Sequence, residues 1–497
     1  MTRTLNALLD HGEGGAAAIV VPGGPTLTYA QLREEVQRCA GELARLGLGR
    51  GDRIALVLPN SAETIVLFLA AATTGMAAPL NPAYKEDEFR FYLEDTAARA
   101  LVVPPGRGEA ARRARPEDCL LIEASFDGSG HVLLEGNVAG GAGVSAGASE
   151  DDVALVLHTS GTTNRPKLVP LRQRNLHASA TNIAATYRLT PDDVAMCVMP
   201  LFHIHGLMAS TMATLSSGGA LVVPPAFDAM TFWPVVEEHR ATWYSAVPTM
   251  HQMLLLRNRG ERPPGAERLR FIRSSSSALS AETMKQLESR FGAPVLEAYG
   301  MTEASHQMAS NPLPPGDRRP GTVGVETGIR IAVMDETGRR LAWGERGEVV
   351  IAGPTVLDAY ANNPEANAKS FVDGWFRTGD QGFLDADGYL SLVGRLKEMI
   401  NRGGEKIAPR EVDDVLLQHP AVAEAVAFGS PHPTWGEEVA AAVVLKEPAT
   451  EKDIIAFARE RLADHKVPKK LYLVEQIPRT ATGKIQRRSV AEAFNPK

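Results

Sequence analysis

Val153-Ala154-Leu155-Val156-Leu157-His158-Thr159-Ser160-Gly161-Thr162-Thr163-Asn164-Arg165-Pro166-Lys167 begins as an apolar run and ends as a hydroxyl-rich turn. Five apolar residues in succession suit a strand buried on both faces, as parallel strands are. A Gly-containing turn of short donors at the end of such a strand exposes backbone N–H groups, which suits a polyphosphate. It is not a Walker A loop, because no second glycine precedes Lys167 and Leu168 stands where that motif needs Ser or Thr. Read alone, the run fits a phosphate loop or an ordinary polar connection.

The flanking sequence repeats the strand pattern. Apolar runs at 53–58, 77–80 and 100–103 alternate with helical periodicity at 26–48 and 62–74. Such alternation predicts an α/β fold of parallel-rich sheets covered by helices. Residues 136–149 are mostly Gly, Ala and Ser and read as a linker. From Gly344 short strands at 347–351 and 388–393 predict a small β subdomain. Beyond Arg395 helices at 410–418 and 451–463 alternate with strands at 423–428 and 438–445, predicting a small α+β domain. The expected division is 1–395 and 396–497, and no internal repeat is evident.

Composition excludes several classes. With 52 Lys+Arg against 59 Asp+Glu, the net charge is −7, which leaves no electrostatic footprint for nucleic acid. Three scattered cysteines, Cys39, Cys119 and Cys197, make neither a disulfide framework nor a Cys-rich zinc site. The longest uncharged stretch, 194–227, is broken by Pro200, Gly206, Gly218-Gly219 and Pro224-Pro225. That leaves a helical piece of about a dozen residues, short of the roughly 20 that span a bilayer, so it reads as buried core. The start lacks a secretory apolar segment and Asn495-Pro496-Lys497 is not a Ser-Lys-Leu address, so cytoplasmic location is expected, peroxisomal less so.

Five further segments carry chemistry. Glu297-Ala298-Tyr299-Gly300-Met301-Thr302-Glu303 offers an aromatic face, hydroxyls and a carboxylate able to hold Mg²⁺. Trp375-Phe376-Arg377-Thr378-Gly379-Asp380 puts at a turn a carboxylate able to take two ribose hydroxyls. Gly394-Arg395-Leu396-Lys397-Glu398 and Asn401-Arg402-Gly403-Gly404-Glu405-Lys406 mark the junction. Pro478-Arg479-Thr480-Ala481-Thr482-Gly483-Lys484 places a lysine near the C-terminus.

In this order, over roughly 28–484, the motifs resemble the adenylate-forming superfamily of acyl-CoA synthetases, firefly luciferase and peptide-synthetase adenylation domains. The closer resemblance is to the oxalate–CoA ligase branch of plants and fungi. It rests on Pro200-Leu201-Phe202-His203-Ile204-His205-Gly206, Ala241-Thr242-Trp243-Tyr244, Arg273-Ser274-Ser275-Ser276, Thr302-Glu303-Ala304-Ser305-His306 and Ile400-Asn401-Arg402-Gly403-Gly404-Glu405-Lys406.

The resemblance implies a reaction and assigns its residues. An acid attacks the α-phosphate of Mg·ATP to give acyl-adenylate and diphosphate; the small domain then rotates and the CoA thiol takes the acyl group. ATP would be held by Thr159, Ser160, Gly161, Thr162, Thr163, Lys167, Glu297, Ala298, Tyr299, Gly300, Thr302, Asp380, Arg395 and Lys484. Of these, Tyr299 would stack on adenine, Asp380 and Arg395 bind ribose, and Thr302 contact the α-phosphate. Glu303 would coordinate Mg²⁺. Lys484 serves adenylation, His203 gates thioester formation and Lys397 is the hinge. Gly403 and Gly404, with Arg402, would take CoA. The attacking carboxylate is already ionised at neutral pH, so the first step needs alignment and charge neutralisation rather than a base.

Departures from the commoner pattern guide the substrate expectation. Asn164 and Leu168 replace glycines of the phosphate loop; Asn tolerates left-handed geometry. The usual Ser-Gly-Gly-Ala-Pro-Leu reads Ser-Ser-Ser-Ser-Ala-Leu at 274–279. Ser276, Ser277, His205 and His306 are therefore expected around a small polar acid, oxalate foremost. A histidine on an apolar segment is often a satisfied core residue, and three histidines could instead make a zinc site, although the usual i,i+4 pair is missing. A ligase for another short dicarboxylic or aryl acid, and an inactive ATP-binding scaffold, are the alternatives. Either a monomer or a homodimer suits the sequence.

Overall fold

Helix Ala62–Thr74 is buried along its length apart from Glu63, and Ser61 caps it by accepting the Thr64 N–H at 3.3 Å. A helix apolar all round belongs inside a protein, and this one joins both large sheets in one continuous core. The structure, a computed structural model, describes residues 2–127, 130–136, 147–159, 166–258, 260–479 and 485–495.

Among the described residues the first sheet has seven strands. Leu120–Phe126, Ala100–Val103, Arg53–Leu56, Met76–Pro79 and Val153–Thr159 run parallel side by side, with Val132–Gly136 and Lys167–Arg172 antiparallel at the edges. The second has nine. Six are parallel neighbours: Val295–Met301, Phe271–Ser274, Trp243–Ala246, Val194–Met196, Ala220–Val222 and Ala17–Val20. The expected parallel-rich α/β architecture is therefore present. The periodicity at 26–48 becomes helix Tyr29–Arg45, started by a capping box between Thr28 and Gln31.

Strands Arg330–Met334, Gly347–Ala352, Trp375–Leu384, Phe371–Val372 and Leu390–Arg395 form a third, antiparallel sheet. It starts earlier than Gly344 because Arg330–Met334 pairs along its length with Gly347–Ala352. A fourth sheet runs from Ile400–Arg402 to Lys470–Leu473 and has its own apolar core with helices Pro409–Leu416 and Glu451–Arg459. The uncharged stretch holds two short strands and a buried π-helix, His205–Met212. Among the described residues no helix is long and apolar enough to cross a membrane. The linker reading falls mostly on 137–146, outside the described residues.

Candidate active site

The motif residues gather where parallel strands end, the place at which open α/β sheets bind ligands. Strand Val153–Thr159 ends at Thr159, which pairs with Lys167 of the neighbouring antiparallel strand. Ser160, Gly161, Thr162 and Thr163 lie outside the described residues, as does Lys484. In the second sheet Phe271–Ser274 and Val295–Met301 end beside each other, the latter leading into the 3₁₀ turn Thr302–Ala304.

One group of residues surrounds Tyr299. Its hydroxyl donates to Asp380, whose carboxylate also faces Arg395 at 3.3 Å. Burial pushes the Asp380 carboxyl up, and Arg395 and the Tyr299 hydroxyl pull it back. Asp380 and Arg395 are cross-strand partners, so the sheet register itself makes the pair. Arg395 is exposed beside this buried carboxylate, and Lys397 is exposed two residues on. Glu303 is the second buried carboxylate, accepting the Tyr360 hydroxyl at 2.8 Å, and burial raises its pKa. The Lys167 ammonium stands 4.3 Å from the Tyr360 ring centre. Burial lowers its pKa, Glu303 opposes that, and Lys397 adds to it. Two cations, Lys167 and Arg395, thus act on the Glu303 carboxylate, and Lys397 acts on Lys167, a distribution suited to a polyphosphate with its metal. Half-buried Thr302 precedes Glu303. Gly300 is obligatory, since a Cβ there would sit 2.2 Å from the His306 carbonyl across the antiparallel pair.

A second group lies at the end of Phe271–Ser274. The Arg273 guanidinium is fully buried, and all its hydrogen bonds go to neutral acceptors. Its Nε donates to the Tyr187 hydroxyl at 2.9 Å and more weakly to Gln307. Its Nη1 donates to Ser245 at 2.9 Å and His205 Nε2 at 3.2 Å, its Nη2 to Gln307 at 3.0 Å and His306 Nδ1 at 3.4 Å. Among the described residues it has no carboxylate partner. The His205 and His306 rings lie 4.9 Å apart, tilted by 54°, and His203 Nδ1 accepts the His205 backbone N–H at 3.1 Å. Three non-glycine residues here, Ser276, Ser305 and His306, have φ of 73°, 53° and 107°. Such conformations cost about 1–3 kcal/mol each and cluster at functional sites. Ser179 and the Thr355 carbonyl hold Ser305 in place.

The acid side differs from expectation. His205 was expected to face the acid, but it is fully buried and both ring nitrogens are engaged, Nδ1 with Ser276 Oγ at 3.0 Å and Nε2 with Ser245 Oγ at 2.6 Å. It stands behind half-buried Ser276 because the π-helix opens at His205, and Gly206 packs so tightly on Pro200 that a Cβ would lie 2.3 Å from that carbonyl. Ser277 is exposed on the same turn, outside the hydrogen-bonded group.

Gly403 and Gly404 form an exposed turn with φ of 60° and 96°. Gly403 N–H donates to the Trp435 carbonyl at 2.8 Å, and Arg402 lies 4.9 Å from the Trp435 ring while donating to Glu438. These contacts are made within the fourth sheet and its connection at Trp435.

Two family models match the chain: AMP-binding enzyme over residues 10–361 and AMP-binding enzyme C-terminal domain over 411–484. The chain belongs to the AMP-binding enzyme family. It is 47% identical over 493 residues to an oxalate–CoA ligase of Arabidopsis thaliana, covering 97% of this chain and 96% of the relative. It is 44% identical over 479 residues to an oxalate–CoA ligase of Saccharomyces cerevisiae, covering 90% and 87%. The crystal structure of ATP-bound MatB from Rhodopseudomonas palustris superposes with a TM-score of 0.90 at 32% identity, over 100% of this chain and 99% of that one.

Residues of this AMP-binding enzyme that motif reading passed over include Ser245, Tyr360 and the full role of Arg273. A signal for Arg273 was present: an arginine set inside the apolar strand Phe271-Ile272-Arg273 has to be neutralised locally. Glu297 and Ala298, expected on the nucleotide side, are also engaged at the serine turn. Glu297 Oε1 accepts the Leu279 N–H at 3.0 Å, and Ala298 takes the Ser275 hydroxyl, so both brace the serine turn. Burial pushes Glu297 from an ordinary 4.5 to about 7, with Arg410 of helix Pro409–Leu416 opposing.

That shift sets a sign. The folded state binds the proton more tightly, so the contribution is present at low pH and is lost as pH rises through about 7. Its full size is about 3 kcal/mol. Glu297→Gln keeps the acceptor without the charge. Its thermal midpoint should exceed wild type at pH 8 and match it at pH 5; equal midpoints at pH 8 would refute the buried, protonated carboxyl.

Proposed function

We propose that this protein is an ATP-dependent oxalate–CoA ligase, converting oxalate, ATP and CoA to oxalyl-CoA, AMP and diphosphate. The class, an AMP-forming acid–CoA ligase, is common to the relatives it resembles over nearly its full length. The observation that carries the substrate is Arg273, a buried cation without a carboxylate partner among the described residues, set behind a hydroxyl turn. A fatty-acid pocket gains nothing from such a charge, and burying it uncompensated costs several kcal/mol. An anion about 6 Å away would return about 2–3 kcal/mol at an effective dielectric near 20. The second carboxylate of a short diacid is that anion.

On the nucleotide side, Tyr299 would stack on adenine, Asp380 and Arg395 would take the ribose hydroxyls, and Lys167, Thr159, Thr302 and Lys484 would meet the phosphates. Mg²⁺ belongs to this reading. Among the described residues no group of three or more His, Cys, Asp or Glu side chains could hold a metal. A single carboxylate fits Mg²⁺, which is usually carried by one or two carboxylates together with phosphate oxygens. Glu303 would supply that carboxylate, and the ion would neutralise phosphate charge. The division at 395/396 falls in the turn Leu396–Glu398 between two sheets, where a rotating domain would pivot to bring Gly403, Gly404 and Arg402 in with CoA beside His203.

AMP release across a panel of acids tests the substrate. Activity should fall from oxalate to malonate to succinate, with octanoate and coumarate inactive. Preference for a hydrophobic monoacid would overturn the oxalate reading and leave the adenylating class standing.

A further inference from the structure

Arg273 donates to His205 Nε2 at 3.2 Å, and the same nitrogen receives Ser245 Oγ at 2.6 Å. Ser245 in turn accepts from Arg273 at 2.9 Å, so its own hydroxyl proton is directed at the ring. Two donors aimed at one imidazole nitrogen require that nitrogen to carry no proton. The ring proton therefore sits on Nδ1 and is donated to Ser276 Oγ, 3.0 Å away. Ser276 then accepts from the ring, and its hydroxyl hydrogen has to point elsewhere. It is the half-buried member of the group, held at φ 73° on the turn, whereas His205, Ser245 and Arg273 are fully buried. Arg273 also donates to His306 Nδ1 at 3.4 Å, which favours the Nε2–H form of that ring.

We infer that Arg273 is a positioning residue for the acid substrate, acting through His205 to aim the Ser276 hydroxyl as a donor at the substrate's second carboxylate. This rests on the diacid reading above. It differs from a direct ion pair, because the five guanidinium N–H groups are already shared among Tyr187, Gln307, Ser245, His205 and His306. The buried charge keeps the relay in one sense: a proton added to His205 Nε2 would face the guanidinium. Among the described residues the titratable groups around the His205 ring are Arg273, His306 tilted against it, and His203 through its backbone contact. A short acid with a single carboxylate has no group for this donor to meet.

Nitrogen-15 spectra of wild-type protein labelled at histidine test the first half, the tautomer being read on the unsubstituted chain. The His205 signals, identified by their loss in His205→Gln, should show a protonated Nδ1 and a bare Nε2 at neutral pH. An Nε2–H ring or an imidazolium overturns the inference. Kinetics test the second half. Arg273→Gln should raise KM for oxalate about 10–100-fold with KM for ATP little changed. The same replacement in a Ser276→Ala background should cost less than about threefold more, because the relay has already lost its last member. Fully additive losses overturn the inference, as does an equal loss for ATP and oxalate. Absence of oxalate turnover in the wild type overturns the substrate reading, and the histidine spectrum distinguishes that failure from failure of the positioning role.

Discussion

An enzyme with alanine at Lys484 is expected to lose acyl-adenylate formation by about 10²–10³-fold, the scale of removing one preorganised charge donor from a transition state. Adenylation brings a carboxylate anion onto an already anionic phosphate, and the step needs cations more than it needs a base. Lys167 and Arg395 lie beside Glu303 on the large-domain side. Lys484 would be the cation brought from the other side, in a segment whose flanks Arg479 and Ile485 are bridged and whose Arg479 pairs with Glu424 at 2.7 Å. Transfer from supplied acyl-adenylate to CoA should be nearly unaffected, since the lysine has by then done its part. Diphosphate exchange and single-turnover thioester formation, measured separately, check this. Equal losses in both half-reactions would refute a lysine that serves adenylation alone.

The elements that could be read from the chain are those whose periodicity is strong and whose burial is two-sided. The runs Val153–Leu157 and Ile65–Ala72 are apolar without interruption, so they had nowhere to go but the interior. Tyr29–Arg45 carried its own start signal in Thr28 and Gln31. The nucleotide-side residues were legible as motifs, but their assembly was not. Asp380 meets Arg395 because two antiparallel strands align with a bulge between Gln381 and Gly382, and one residue of slip would turn either side chain away. Tyr360 reaches Glu303 from 57 positions downstream, a contact that no local pattern announces. The acid side was read from its hydroxyls and histidines alone. Which of them stands in front depends on the π-helix at His205 and on left-handed Ser276, and backbone departures of that kind leave little trace in one sequence.

Lys397→Pro is expected to separate the two half-reactions in the opposite sense to Lys484→Ala. Lys397 is the second residue of the turn Leu396–Glu398, which links the last strand of the third sheet to the first strand of the fourth. Proline fixes φ near −65° and is tolerated in the first turn of a helix, where the N–H has no intrahelical partner, so the arrangement seen here should accommodate it. A rotation of the small domain about this turn requires a dihedral that proline does not allow. Bringing Gly403 and Gly404 from their own sheet toward the nucleotide side requires such a rotation. Diphosphate exchange should therefore survive within about threefold, while thioester formation falls by about 10²-fold or more. Lys397→Ala separates backbone from side chain: it removes the charge that adds to the lowering of the Lys167 pKa but leaves φ free, so thioester formation should stay far above the proline variant. Loss of diphosphate exchange in a folded proline variant, or an alanine variant as slow in thioester formation as the proline one, would move the pivot elsewhere in the chain.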